Sequence, residues 1–128
     1  MSKERPIYLD NAAFLGLPIT AVTSIFHRAS GIVIFVAIPI LLWMLSCSLE
    51  SEASFNELKA LLEGFFPRLV LWGIVSAFTF HFVAGIKHLI MDMGIGETLE
   101  GGRTGAVITL SVSAVLILLA GVWICLPM

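Results

Sequence analysis

Three long runs of apolar residues, separated by short polar segments, dominate the hydropathy pattern of the chain. The first and third runs, residues 29–49 and 105–126, contain no charged side chain, and the second, residues 69–91, contains two histidines and one lysine. A helix needs about 20 apolar residues to cross the hydrocarbon core of a bilayer. The pattern therefore predicts an all-α protein with three transmembrane helices.

The segments between the runs are short and differ in character. Residues 50–63 are acidic, and residues 54–63 within them are predicted to form a short surface helix. Residues 92–104 are rich in glycine and contain one arginine. Pro39 lies inside the first run, where it removes one backbone hydrogen bond and is expected to kink the helix.

The composition supports lipid as the solvent of most of the chain. Of the 128 residues, 59% are hydrophobic and 12% are charged, and the mean hydropathy is +1.03. Soluble domains contain about twice that share of charged residues. We expect a single membrane domain, without a cleaved signal peptide because the first 28 residues contain no apolar run of the required length.

The positive charges predict how the chain is oriented, since cytoplasmic loops are enriched in lysine and arginine. If the N-terminus is cytoplasmic, two cations, Lys59 and Arg68, lie on the far side. The others lie on the cytoplasmic side: Lys3, Arg5, Arg28, Lys87 and Arg103. We therefore expect a cytoplasmic N-terminus and a periplasmic C-terminus.

His81 is the most informative polar residue in the three runs. It precedes the cytoplasmic end of the second run by ten residues, which places it about 15 Å deep. A neutral imidazole there needs a partner for its ring nitrogens, either a neighbouring helix or a haem or metal ion. Ala84, Gly85 and His88 share its helical face, and such small residues leave room for a flat group or for close helix packing.

The other histidines are poorly placed to bind the same metal ion as His81. His88 is two helical turns away, about 10 Å along the axis, and His27 is expected near the cytoplasmic boundary. The third run contains no histidine. If His81 is one axial ligand of a six-coordinate haem, the second ligand must come from another chain.

A second polar cluster precedes the first run. Its members share one helical face: Ser24, His27, Arg28 and Gly31. Arg28 is either an anchor at the membrane interface or, with Ser24, a hydrogen-bonding pocket for a quinone carbonyl or a carboxylate. Lys87 and His88 lie on the same side and would join His27 and Arg28 in neutralising haem propionates.

Three sequence blocks, in order and at matching spacing, resemble one family. They are RPIYLD at residues 5–10, ITAVTSIFHRASG at residues 19–31 and HFVAGIKHLIMD at residues 81–92. The chain resembles, over nearly its whole length, the cytochrome b membrane-anchor subunit of bacterial succinate dehydrogenase, the succinate:quinone oxidoreductase also called Complex II.

The resemblance implies a role for each candidate residue. His81 matches the axial ligand of haem b, and Ser24 and Arg28 match residues that line the ubiquinone site. His27 and His88 match positions close to the haem propionates. A second small anchor subunit in the bacterial inner membrane would supply the other axial histidine. An iron–sulfur subunit and a flavoprotein subunit would bind on the cytoplasmic side, and no nucleic acid is expected as a partner.

Three alternatives remain open from the residues alone. A quinol:fumarate reductase anchor would use the same cofactor with reversed electron flow. A small transporter or channel subunit would use His81 as a proton relay, but the first and third runs contain no further ionisable group. A purely structural anchor would use His81 only to join helices.

Overall fold

The computed structural model describes residues 12–14 and 17–127. Two short antiparallel strands, β1 (Ala12–Phe14) and β2 (Leu17–Pro18), precede the helices. The helices are α1 (Ile19–Glu50), α2 (Glu52–Leu62), α3 (Phe65–Asp92) and α4 (Leu99–Cys125). The block RPIYLD and the cations Lys3 and Arg5 lie outside the described residues.

Helices α1, α3 and α4 are each long and apolar enough to cross a membrane, which confirms the predicted three-helix membrane protein. Two of them begin well before the corresponding apolar run, α1 at Ile19 and α4 at Leu99. Helix α1 also continues through Pro39. A helix can extend into the headgroup layer. The residues at which each span begins and ends, and the side of the membrane on which each end lies, therefore stay predictions.

Local hydrogen bonds define the connections between the long helices. The hydroxyl of Ser51 accepts a hydrogen bond from the backbone N–H of Ser54 at 3.0 Å and begins α2, the predicted surface helix. Thr98 begins α4 in the same way. The tight turn between α3 and α4 contains Gly94 and Gly96 at φ angles of +86° and +74°, where a side chain would be strained.

Small residues line the contacts between the long helices. The buried stripe of α4 consists of Gly102, Ala106, Thr109 and Ser113. Gly102 lies near the side chain of Thr20 in α1, and Ala84 of α3 is completely buried. Without bulky side chains the helix backbones approach closely, which is a main source of attraction between helices in lipid.

The outer surface of the bundle is apolar. Phe35 of α1 is 74% exposed and Trp123 of α4 is 77% exposed, and most of the large aliphatic residues also point outward. In water this would be an aggregation-prone surface, since soluble proteins seldom expose apolar patches of this extent. The arrangement fits a bundle whose outer surface contacts lipid tails or other membrane helices.

A tryptophan joins α3 to α4 near the end opposite the α3–α4 turn. The indole N–H of Trp72 donates a hydrogen bond to the backbone carbonyl of Ile117 at 2.9 Å. Gly121 faces the same ring, and a Cβ at this position would lie 3.0 Å from the indole nitrogen. The glycine therefore allows the indole to reach the backbone of α4.

We expect Gly121→Ala to destabilise the bundle by about 1–3 kcal/mol, because the added methyl group overpacks the Trp72 contact. Gly73→Ala is the matched control, since no described atom lies within 4 Å of a Cβ placed there. Unfolding by denaturant in detergent micelles, followed by circular dichroism, measures both variants. Equal stability of the two variants would contradict the proposed contact.

Candidate functional site

The structure brings all three histidines of the chain together between α1 and α3. The ring of His27 stacks on the ring of His81, with centroids 4.2 Å apart and an interplanar angle of 13°. The same His27 ring lies 4.9 Å from the ring of His88, at an angle of 49°. His27 therefore lies between two imidazoles that are two turns apart on α3, and the three form one histidine cluster.

Two groups of α1 bind Nδ1 of His81. The backbone carbonyl oxygen of His27 and the hydroxyl oxygen of Ser30 each lie 3.1 Å from this nitrogen. The Ser30 hydroxyl also donates a hydrogen bond to the His27 carbonyl at 2.7 Å. Each hydrogen bond of this kind contributes about 1 kcal/mol to stability.

These three contacts assign the tautomer of His81. They are satisfied together if the Ser30 hydroxyl donates to the carbonyl and Nδ1 of His81 holds the ring proton. Nδ1–H then donates to the carbonyl of His27 and to Oγ of Ser30. Nε2 keeps its lone pair and is the nitrogen able to bind a metal ion.

Gly31 provides the room for the His81 ring. A Cβ at Gly31 would lie 3.1 Å from Cε1 of His81, closer than ordinary contact, and 3.5 Å from Nδ1. On the other helix, Gly85 faces the ring of His27, where a Cβ would lie 3.8 Å from Nε2. One glycine on each helix thus faces the histidine cluster.

The stacked geometry rules out His27 and His81 as joint ligands of one metal ion in this arrangement. Two imidazoles that share a metal ion approach it from different directions, each nitrogen about 2 Å from the metal. Parallel rings with centroids at 4.2 Å leave no space for an ion between them. Within residues 17–127, no group of three or more His, Cys, Asp or Glu side chains is placed to hold a metal ion.

The predicted difference in depth between His27 and His81 is wrong. His27 was expected near the cytoplasmic boundary and His81 near mid-depth, but their ring centroids are 4.2 Å apart, so the two rings differ in depth by no more than that distance. The prediction began the first span after Arg28, the last charged residue, whereas α1 already begins at Ile19. About 12 Å of helix precede His27, so this residue lies well inside α1.

The polar face of α1 divides into two parts. His27 and Gly31 contact α3, as described above. Ser24 is half-buried and Arg28 is exposed, and they lie one turn apart beside that contact. The structure therefore leaves the Arg28 side chain accessible to a ligand, lipid or another subunit.

One residue that contacts the histidine cluster was missed by the sequence analysis. Ser30 is buried and links the two helices, but serine is common in membrane helices, so the residue type alone did not indicate a role. Its position three residues after His27, on the same helical face, was the available signal.

Two cavities of the described chain lie away from the histidine cluster. The larger, of about 780 Å³, lies between α3 and α4 and is lined mainly by apolar groups that include Trp72, Leu118 and Val122. The smaller, of about 260 Å³, is lined by Ile86, Lys87 and other residues of the same two helices and of the turn between them. No histidine lines either cavity.

Fold and site together define a multi-pass membrane protein with an oriented imidazole between its first two spans. A sequence model of the family described as succinate dehydrogenase/fumarate reductase transmembrane subunit matches residues 1–120. The chain therefore belongs to this family, which confirms the resemblance found from the three sequence blocks.

Curated relatives extend the comparison over nearly the full length. The chain is 41% identical over 125 residues, 97% of its length and 99% of the relative's, to the succinate dehydrogenase cytochrome b556 subunit of Coxiella burnetii. It is 28% identical over 103 residues to the subunit of the same name from Paracoccus denitrificans, covering 80% of this chain and 79% of the relative. The subunit of the same name from Rickettsia conorii is 30% identical over 82 residues, 64% of this chain and 63% of the relative.

The tautomer of His81 is directly measurable. In the purified chain, before any cofactor is added, ¹⁵N spectra of histidine-labelled protein should show His81 protonated at Nδ1 and not at Nε2, because both neighbouring oxygens lie at Nδ1. The His81→Gln variant assigns the signal. A neutral His81 protonated at Nε2 would contradict the hydrogen-bond assignment.

Proposed function

We propose that this chain is the cytochrome b membrane-anchor subunit of a succinate:ubiquinone oxidoreductase. It would bind haem b jointly with a partner subunit and form part of the site at which ubiquinone is reduced. Electrons from succinate oxidation in the soluble subunits would reach the quinone at this site, which links the tricarboxylic acid cycle to the respiratory chain. The chain would have no catalytic activity alone.

The observation that best supports haem binding is the environment of His81. Its Nδ1 is held by the carbonyl of His27 and the hydroxyl of Ser30, and Nε2 is left as the free nitrogen. Protein ligands of metal ions usually have their second ring nitrogen fixed in this way. The missing Cβ of Gly31 gives the ring its room. These residues fit a haem, and the cytochrome b names of the relatives agree with that cofactor.

A second observation supports the place proposed for the haem propionates. Nε2 of His27 is buried and has no hydrogen-bond partner within the described part of the chain. Buried polar atoms are nearly always paired, so a lone one indicates a missing partner. We assign His27 and His88 to the propionate side because both belong to the histidine cluster and donate hydrogen bonds to carboxylates when protonated.

Ser24 and Arg28 are the residues proposed to bind the quinone. They lie one turn apart on α1, next to the histidine cluster, and the Arg28 side chain is accessible. The guanidinium stays charged and donates hydrogen bonds in fixed directions, so it can orient a quinone carbonyl and stabilise negative charge on its oxygen. The serine hydroxyl donates a second hydrogen bond. When bound, the haem supplies a one-electron redox centre beside this site.

The partners follow from the incomplete site. A second small anchor subunit would provide the other axial ligand, since His27 and His81 are stacked and do not share a metal ion. An iron–sulfur subunit and a flavoprotein subunit would bind on the cytoplasmic side of the bacterial inner membrane, with the N-terminus of this chain on the same side. Lipid would cover the remaining apolar surface.

The family name includes fumarate reductases, and the same site would serve a quinol:fumarate reductase anchor. The names of the relatives, all succinate dehydrogenase subunits, favour succinate oxidation. Comparing turnover of succinate with ubiquinone and of fumarate with menaquinol in the purified complex decides the direction.

We expect His81→Ala to abolish the low-spin haem b signal of the assembled complex, because the variant lacks the imidazole that would bind the haem iron. Reduced-minus-oxidised absorption spectra measure this signal. Thr79→Ala is the control, since the Thr79 hydroxyl bonds only to its own helix, at Val75. An unchanged low-spin spectrum in His81→Ala would show that His81 is not a ligand.

We expect both Ser24→Ala and Arg28→Leu to raise the KM for ubiquinone. Arg28→Leu should also lower the rate of quinone reduction at least tenfold, because charge-assisted hydrogen bonds contribute about 1.5–3 kcal/mol. Succinate oxidation with a soluble dye should be unchanged, since it bypasses the membrane site. Ser111→Ala and Arg103→Leu are matched controls at exposed positions of α4. Wild-type quinone kinetics in Ser24→Ala and Arg28→Leu would favour a structural anchor.

A further inference from the structure

Ser30 joins α1 to α3 through the His81 ring. It is 8% exposed, and its Oγ lies 2.7 Å from the His27 carbonyl and 3.1 Å from Nδ1 of His81. The other described serine and threonine side chains that bond to a helix carbonyl, at Thr23, Ser48 and Thr79, do so within their own helix. Ser30 alone among these also reaches a ring on another helix.

We propose that Ser30 is the positioning residue of the axial ligand, and that it sets both the orientation and the electron-donating strength of His81. The inference rests on the proposed role of His81 as haem ligand. Ser30 would not touch the haem iron, and it would act only through Nδ1.

The geometry gives Ser30 two effects on the ring. Nδ1–H has two acceptors, and they lie on one side of the same helix turn, so together they restrict rotation of the imidazole about its side-chain bonds. With only the His27 carbonyl left, the ring would keep one hydrogen bond beside its stacking contact with His27. Gly31 contributes no side chain to this contact.

The second effect is electronic. Each acceptor on Nδ1–H draws the proton away and makes Nε2 a stronger donor to a metal ion. A stronger donor stabilises the more highly charged oxidised iron, so removal of one acceptor raises the reduction potential of the haem. A serine that merely filled space between α1 and α3 would not have this effect.

The test compares Ser30→Ala, Ser30→Thr and Ser48→Ala in the assembled complex. Ser48→Ala removes a serine of the same helix whose hydroxyl makes the same type of bond, to Leu45 at 2.8 Å, without contact to a histidine. Ser30→Thr keeps the hydroxyl, since threonine in a helix makes this bond to a preceding carbonyl. The readouts are the midpoint potential of the haem and the rate of haem transfer to apomyoglobin in mild detergent.

We expect Ser30→Ala to raise the midpoint potential and to release haem about 10- to 100-fold faster, the range found for lost supporting contacts of metal ligands. Ser30→Thr should stay close to wild type, and so should Ser48→Ala. Ser30→Ala values equal to those of Ser48→Ala would overturn the proposal. Equal losses in Ser30→Ala and Ser30→Thr would also overturn it, because packing and not the hydroxyl would then be the cause.

Including His81→Ala in the series separates this proposal from the one on which it rests. If His81→Ala retains the low-spin haem, the ligand assignment fails and the role of Ser30 fails with it. If His81→Ala loses the haem signal while Ser30→Ala matches Ser48→Ala, only the positioning role is refuted.

Discussion

The hydrogen bonds from Nδ1–H of His81 to the carbonyl of His27 and the hydroxyl of Ser30 are the interaction on which the site depends. An unpaired imidazole inside a bilayer is costly, so the ring needs a partner from a neighbouring helix. Bonding through Nδ1 meets that need and leaves Nε2 free. The same contact therefore stabilises the pairing of α1 with α3 and leaves Nε2 available for the role of metal ligand proposed for His81.

Close approach of the helices makes this interaction possible. Gly31 leaves space for the His81 ring, Gly85 faces His27, and Ala84, next to Gly85 on α3, is fully buried. A similar use of a small residue holds α3 against α4, where Gly121 makes room for Trp72. In lipid, where apolar surface gains little from burial between helices, such contacts and a few hydrogen bonds determine the arrangement.

Much of the fold could be predicted from the sequence, because a 20-residue apolar run has few structural solutions in a bilayer. The three long helices were predicted on this basis, and the short helix after the first span was predicted separately, within the acidic segment. The site was predicted less completely. Because Arg28 is charged, the first span was predicted to begin after it, and His27 was therefore predicted to lie far from His81. The contact between the two side chains depends instead on how α1 packs against α3. Ser30 was missed since its role exists only once the two helices meet.

A structure of the complete complex, determined in lipid nanodiscs by electron cryomicroscopy, tests the central claim most directly. We expect a porphyrin whose iron is bound by Nε2 of His81 and by a histidine of a second membrane subunit, with Nδ1 of His81 still bonded to the carbonyl of His27. No porphyrin beside His81, or both iron ligands supplied by this chain, would contradict the account.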